Sequence, residues 1–186
     1  LFFPPVAVVP AAPDHFALFG LAPRFSLSLD ELDAAYKQVQ AQVHPDRYAA
    51  GSAAERRVAM QWATLANEAY RTLRDDGRRA AYLCERGGVP IEAESNTAMP
   101  PAFLMQQLEW REALDALRVS GGLAAPLLAE VLAARADVLR ALRDALDVRQ
   151  DLPGAAALVR QLMFIDRFRA EVQAAADAQA QPAVQG

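Results

Sequence analysis

Two helix-start signals constrain this chain more than any other feature. Ser28 is followed three residues later by Glu31, and Ser52 three residues later by Glu55. Each pair spells a capping box, in which the serine oxygen accepts a free backbone N–H and the glutamate reaches back to the serine N–H. Behind the first signal, over 28–43, Leu32, Tyr36, Val39 and Val43 recur at the spacing of one helix face. Behind the second, over 53–75, Val58, Trp62, Leu65, Ala69 and Leu73 repeat the device. Two such stripes joined by a loop of about nine residues pack antiparallel. The loop opens with His44-Pro45-Asp46-Arg47. The residue before a proline is driven out of the α region, so the first helix ends near Val43. Pro45 fixes its own φ and donates no hydrogen bond. The expectation is a stiff polar turn at the tip of a helical hairpin, presenting an imidazole, a carboxylate and a guanidinium to solvent.

The rest of the chain reads as helix too. Hydrophobic residues make up 53% of it, many of them alanine, and the alternation of strands is nearly absent. An all-α fold follows. Residues 14–21 predict a short helix capped by Asp14 and stopped at Gly20, with Phe16 and Phe19 as anchors. A further short helix over about 78–87 carries Tyr82, Leu83 and Cys84 and ends at Gly87-Gly88. These four helices make one expected domain, 14–87. Residues 88–100, with Pro90 and Pro100, read as a linker. Three longer patterns, 101–118, 124–147 and 152–178, predict an antiparallel three-helix bundle over 101–178. Gly121-Gly122 separates the first two, and Asp151 with Pro153 opens the third. Residues 1–13, broken by four prolines, read as an extended arm. Residues 179–186 read as a fraying tail.

Charge and cysteine usage narrow the function classes. A net charge of −4 lacks the positive field that nucleic-acid binding requires. No apolar run reaches the roughly 18 residues of a membrane span, and the arm has no basic start, which makes it a poor signal peptide. The single Cys84 permits no internal disulfide and reads as a small core residue. It suits a reducing compartment, and a cytoplasmic location is expected. His15 reads as packing or a cap. His44 and Asp46 are a pair fit for acid–base work, yet no nucleophile, phosphate loop or ligand cluster accompanies them. Two histidines and one cysteine are too few for a four-ligand metal site. No cofactor is expected.

The pattern 101–118 carries more apolar surface than one docking stripe needs. At about 100° per residue, Phe103, Trp110, Leu114 and Leu117 share one side. Leu104, Met105, Leu108, Glu109 and Glu112 share the other. A spare apolar patch rimmed by carboxylates reads as a partner site, to which methionine lends adaptability. The alternative is that a neighbouring helix covers both stripes. By periodicity alone Phe164 belongs to the core, since Leu158, Leu162, Ile165 and Phe168 define a buried face around it.

These residues resemble a known family. His44-Pro45-Asp46 between two capped helices, with Phe16-Ala17-Leu18-Phe19-Gly20-Leu21, Leu65-Ala66-Asn67-Glu68-Ala69-Tyr70-Arg71-Thr72-Leu73 and Arg79-Ala80-Ala81-Tyr82-Leu83, is similar to the J-domain family, co-chaperones that stimulate ATP hydrolysis by Hsp70 chaperones. Phe103-Leu104-Met105-Gln106-Gln107-Leu108-Glu109-Trp110-Arg111-Glu112 resembles the HscB type, which delivers the iron–sulfur scaffold protein IscU to the Hsp70 chaperone HscA. The resemblance spans roughly 14–175. It departs at Val43, where the family often has tyrosine, and at Asp76, where it often has proline. The exposed face of the second helix, usually basic, here has Lys37 nearly alone among Gln38, Gln40 and Gln42. The resemblance implies a non-enzymatic co-chaperone with a J-domain and a scaffold-binding three-helix bundle. His44, Pro45, Asp46, Arg47 and Lys37 would engage an HscA-like Hsp70. Leu104, Met105, Leu108, Glu109, Glu112 and Phe164 would hold an IscU-like scaffold.

Two other readings compete. One is a J-like helical adaptor with no Hsp70 partner. The other is a helical hydrolase using His44 and Asp46.

Overall fold

The computed structural model describes residues 14–48, 51–92 and 99–180, with the side chains of Pro45, Asp46, Gln179 and Ala180 left aside. The expectations for the arm 1–13, for 93–98 within the linker and for 181–186 lie outside these residues. The described residues are all-helical, without strands. The chain divides into two compact units, the first ending at Leu83 and the second starting at Cys84.

In the first unit, α1 (His15–Phe19) starts where the Asp14 carboxylate accepts the Phe16 and Ala17 N–H groups, and stops at Gly20, whose φ of 67° is the left-handed conformation glycine tolerates. Helix α2 (Leu29–Val43) and α3 (Ala53–Arg74) form the hairpin. The complete capping box forms at Ser52: its hydroxyl accepts the Glu55 N–H at 3.2 Å, and its own N–H donates to the Glu55 carboxylate at 2.7 Å. At Ser28 only the first half forms, the hydroxyl accepting the Glu31 N–H at 3.3 Å. Of the expected stripes, Leu32, Val39, Val43, Ala69 and Leu73 are buried, while Tyr36, Val58, Trp62 and Leu65 are only half-buried; Ala59 and Ala66, which the pattern did not single out, are the other buried residues of α3. Leu32, Val39, Val43, Ala69 and Leu73 join Phe16, Leu18 and Phe19 in one core, with Tyr36, Trp62 and Leu65 packed at its edge. Each large side chain fully buried there contributes about 1.5–3 kcal/mol.

Helix α4 (Asp76–Arg86) follows and spans the division at Leu83 and Cys84. Asp75 caps it by accepting the Arg78 N–H at 2.8 Å. Arg79, only 4% exposed, donates to the carbonyls of Phe25 at 2.9 Å and Leu73 at 2.6 Å and to the Asp76 carboxylate at 2.7 Å. It ties the 20–28 loop to the hairpin. A buried guanidinium is tolerable because each of its three nitrogens finds an acceptor.

In the second unit, α5 (Pro101–Ser120) begins with proline in its first turn and ends at Gly121, φ 72°. Helix α6 (Ala125–Arg143) runs on into a π-helical stretch, Asp144–Arg149. The sequence suggested one unbroken helix to 147. The wider last turns close when the Asp151 N–H donates to the Ala145 carbonyl at 2.9 Å. Arg149 pins them by bridging Asp144 at 2.6 Å and Asp151 at 3.1 Å. Helix α7 (Leu152–Ala180) follows, its first turn capped by the Asp151 carboxylate on the Gly154 N–H at 2.9 Å. Phe103, Trp110 and Leu114 of α5, Leu127 and Val131 of α6, and Ile165, Phe168 and Val172 of α7 make the core of the bundle.

Candidate functional site

Two exposed places carry expected residues, one in each unit, the side chains of Pro45 and Asp46 lying outside the described ones. The first is the corner after α2. His44 caps the helix at φ −59°, ψ 129°, the extended geometry that a following proline imposes. Pro45–Tyr48 then make one 3₁₀ turn, closed by the Arg47 N–H on the His44 carbonyl at 3.1 Å. His44 and Arg47 are exposed, as is Lys37 on α2. Arg47 does more than offer charge to solvent. Its guanidinium donates to the Ala41 carbonyl at 2.9 Å, and the Tyr48 hydroxyl donates to the Gln42 carbonyl at 3.2 Å. Both acceptors are last-turn carbonyls with no helical partner of their own, and the cation also meets the negative end of the helix dipole. The corner is therefore held by its own residues, a role for Arg47 and Tyr48 that the motif did not suggest.

The hairpin beneath it is locked in register by polar side chains. Tyr36 and Tyr70 stack with ring centroids 4.1 Å apart. Asn67 accepts from the Tyr36 hydroxyl at 2.7 Å and from Gln40 at 2.7 Å, and Asp33 accepts from the Tyr70 hydroxyl at 2.9 Å. Gln40, which the sequence grouped with the exposed glutamines, is thus half-buried in the seam between α2 and α3. Gln38 and Gln42 are exposed, so Lys37 has neutral neighbours on that face.

The second place is the outer face of α5. Phe103, Trp110 and Leu114 are 8%, 1% and 1% exposed, so the docking stripe is complete without help. Leu104, Met105 and Leu108 are 48%, 58% and 52% exposed, which rules out the reading that another helix of the unit covers both stripes. Glu109 and Glu112 are exposed beside them. Phe164 of α7 is half-buried, edge-on to Phe103 at 5.8 Å and stacked on Phe168 at 6.1 Å. It is neither fully core nor free, and it meets α5 through Phe103 and Arg111. Sequence reasoning passed over Arg111, whose guanidinium lies over the rings of both Phe164 and Phe168. Its position seven residues after Leu104 and three after Leu108 already put it on their stripe.

Among the remaining candidates, Cys84 is fully buried, and burial pushes its thiol up to about 11. That is an inert core cysteine. His15 stacks on Tyr82 with ring centroids 4.3 Å apart, which is packing.

Comparison with known proteins covers both places. A family profile described as the HSCB C-terminal oligomerisation domain matches residues 99–173. The co-chaperone protein HscB homolog of Bordetella pertussis is 54% identical over 165 residues, covering 89% of this chain and 97% of that protein. The HscB homolog of Burkholderia mallei is 54% identical over 162 residues, covering 86% and 92%. Among solved structures, chaperone HscB from Vibrio cholerae superposes with a TM-score of 0.82 at 33% identity, covering 89% of this chain and 99% of that one. Human co-chaperone HscB has the same fold, with a TM-score of 0.80 at 21% identity over 89% of this chain and 83% of that one.

Proposed function

The chain belongs to the HscB co-chaperone family, and from that premise we propose that it couples a scaffold protein to an Hsp70 motor. The His44-Pro45-Asp46 corner engages an HscA-like Hsp70 and stimulates its ATP hydrolysis. The outer face of α5, with Phe164, holds an IscU-like iron–sulfur scaffold protein. The chain does no chemistry itself. Asp46 is suited to accept charge-assisted hydrogen bonds from an arginine of the chaperone, and His44 offers a second polar contact. Arg47 both assists by charge and keeps the corner folded. Carrying both sites on one chain raises the effective concentration of cargo at the motor. This reading places the protein in the reducing cytoplasm, where Cys84 stays a thiol.

The observation that supports it best is the α5 face: three large apolar side chains stand about half exposed while the opposite stripe of the same helix fills the core. A helix that needed only to fold would not carry both. The test is a pair of variants. His44→Gln should abolish stimulation of the Hsp70 ATPase and leave scaffold binding and helical circular dichroism unchanged. Retained stimulation refutes the role of the corner and favours an adaptor without an Hsp70 partner. Leu104→Ala/Met105→Ala/Leu108→Ala should weaken scaffold binding at least about tenfold, as loss of central apolar anchors does. Its melting temperature should barely move. Unchanged scaffold binding removes the cargo reading.

A further inference from the structure

We propose that Arg111 is a positioning residue of the cargo face: anchored by Glu171, its guanidinium holds the Phe164 ring in place as the wall of the patch made by Leu104, Met105 and Leu108. The proposal rests on the cargo reading above and adds to it a residue and a mechanism.

Phe164 has fixed neighbours on two sides. Phe168 is fully buried and stacks on it, and Phe103 is 8% exposed and meets it edge-on. The remaining constraint is Arg111. Its Cζ lies 5.9 Å from the Phe164 ring centroid and 5.5 Å from that of Phe168, within range for a cation held against a ring face. A guanidinium on a long, half-exposed side chain would ordinarily sample many rotamers. Here the Glu171 carboxylate accepts from its Nη1 at 3.0 Å and removes that freedom. Glu171 sits on α7, two turns beyond Phe164, so α7 supplies both the ring and the anchor.

The clamp is poorly placed to stabilise the fold. The side chains of Arg111 and Glu171 are 47% and 31% exposed, and pairs so open to water contribute little to folding. The α5–α7 contact is already made by Trp110 stacked on Phe168 at 5.6 Å. What the clamp does control is the freedom of a half-exposed ring at the edge of a binding face. A ring held before the partner arrives has less entropy to lose on binding. The clamp also sets the charge of the face. Arg111 is matched by Glu171, whereas Glu109 and Glu112 form no ion pair among the described residues. The face therefore presents a net negative rim, fitted to basic residues on the scaffold.

The test uses the full chain and a purified IscU-type scaffold protein. Calorimetric titration compares wild type with Arg111→Met, Arg111→Lys and Glu171→Gln, and para-fluorophenylalanine placed at 164 reports the ring by fluorine NMR. Arg111→Met should raise the scaffold Kd by about 3- to 10-fold, the range expected on losing a partly exposed cation–ring contact. It should also shift or broaden the fluorine signal, with melting temperature and ATPase stimulation of the free co-chaperone unchanged. Arg111→Lys, which keeps charge but loses the planar stack, should recover part of the binding. Glu171→Gln should fall between lysine and methionine, and it decides the matter if Arg111→Met fails to fold. Wild-type binding and an unmoved fluorine signal in both Arg111→Met and Glu171→Gln overturn the proposal. If that result comes with lost binding in the Leu104/Met105/Leu108 triple variant, the cargo reading survives and the clamp alone is wrong. If the triple variant also binds normally, the cargo reading is what has failed.

Discussion

His15 lies flat on Tyr82, and its backbone N–H donates to the Tyr82 hydroxyl at 3.0 Å. Its Nδ1 is buried with no partner among the described residues. Burial disfavours the imidazolium and lowers the pKa from its ordinary 6.5, while the carboxylates of Glu68 and Asp14 pull the other way without overcoming it. The sign follows from linkage. With the folded pKa below the unfolded one, the unfolded chain takes up the proton first on acidification, so this contribution to stability is intact above the ordinary value and is lost as pH falls below it. The urea midpoint should therefore drop between about pH 7.5 and about pH 5.5, and His15→Gln should flatten part of that slope. Equal slopes in the two proteins would remove His15 from the account. Glu55 is shifted in the same direction by a different cause, hydrogen bonds to its charged form rather than burial. The Ser52 N–H, and then its hydroxyl, hold the Glu55 carboxyl below its ordinary value, so the closed capping box belongs to neutral pH and weakens in acid.

At the scale of the element, the hairpin shows where pattern reading succeeds and where it stops. The apolar faces of α2 and α3 were legible because a helical period of 3.6 puts them on one side whatever they pack against, but which α3 residues lie deepest, Ala59 and Ala66 rather than Val58 and Leu65, was not. Nor was the seam of Tyr36, Asn67 and Gln40. Its partners lie 31 and 27 residues apart, and no local rule links them. Asn67→Ala leaves the Tyr36 hydroxyl and the Gln40 amide without their acceptor in a half-buried seam. It should cost about 1–3 kcal/mol, read from urea unfolding of the full chain. A loss within about 0.5 kcal/mol, the range of an ordinary surface substitution, would show that water replaces the seam at no cost. The π-helical end of α6 was equally out of reach, since its residues carry the same helix-forming composition as the turns before them. It depends on the Asp151 N–H reaching the Ala145 carbonyl.

At the scale of the whole molecule, each unit has its own apolar core, one built around Phe16, Leu32 and Leu73, the other around Trp110, Val131 and Phe168. Each candidate site sits on elements of a single unit. The proposed coupling is then a property of the chain that joins them. If tethering is the mechanism, mixing His44→Gln with the Leu104/Met105/Leu108 triple alanine variant should not restore scaffold-dependent ATPase stimulation, because neither molecule carries both sites. Full recovery in the mixture would show that the two activities need no covalent link.

By itself the sequence determined the helices, the caps at Asp14 and Ser52, the corner at His44 and the two-sided character of α5, all of which depend on residues within a few turns of one another. It also carried the resemblance that the relatives bear out. The tertiary structure decided which of the two α5 stripes stays in water and whether Phe164 belongs to core or surface. It decided, too, that Arg47 turns back onto its own helix and that Arg111 lies over a ring of α7. The physical reason is the same in each case. Local periodicity states which side chains share a face, but exposure and pairing depend on what another segment brings to that face, and only packing supplies that.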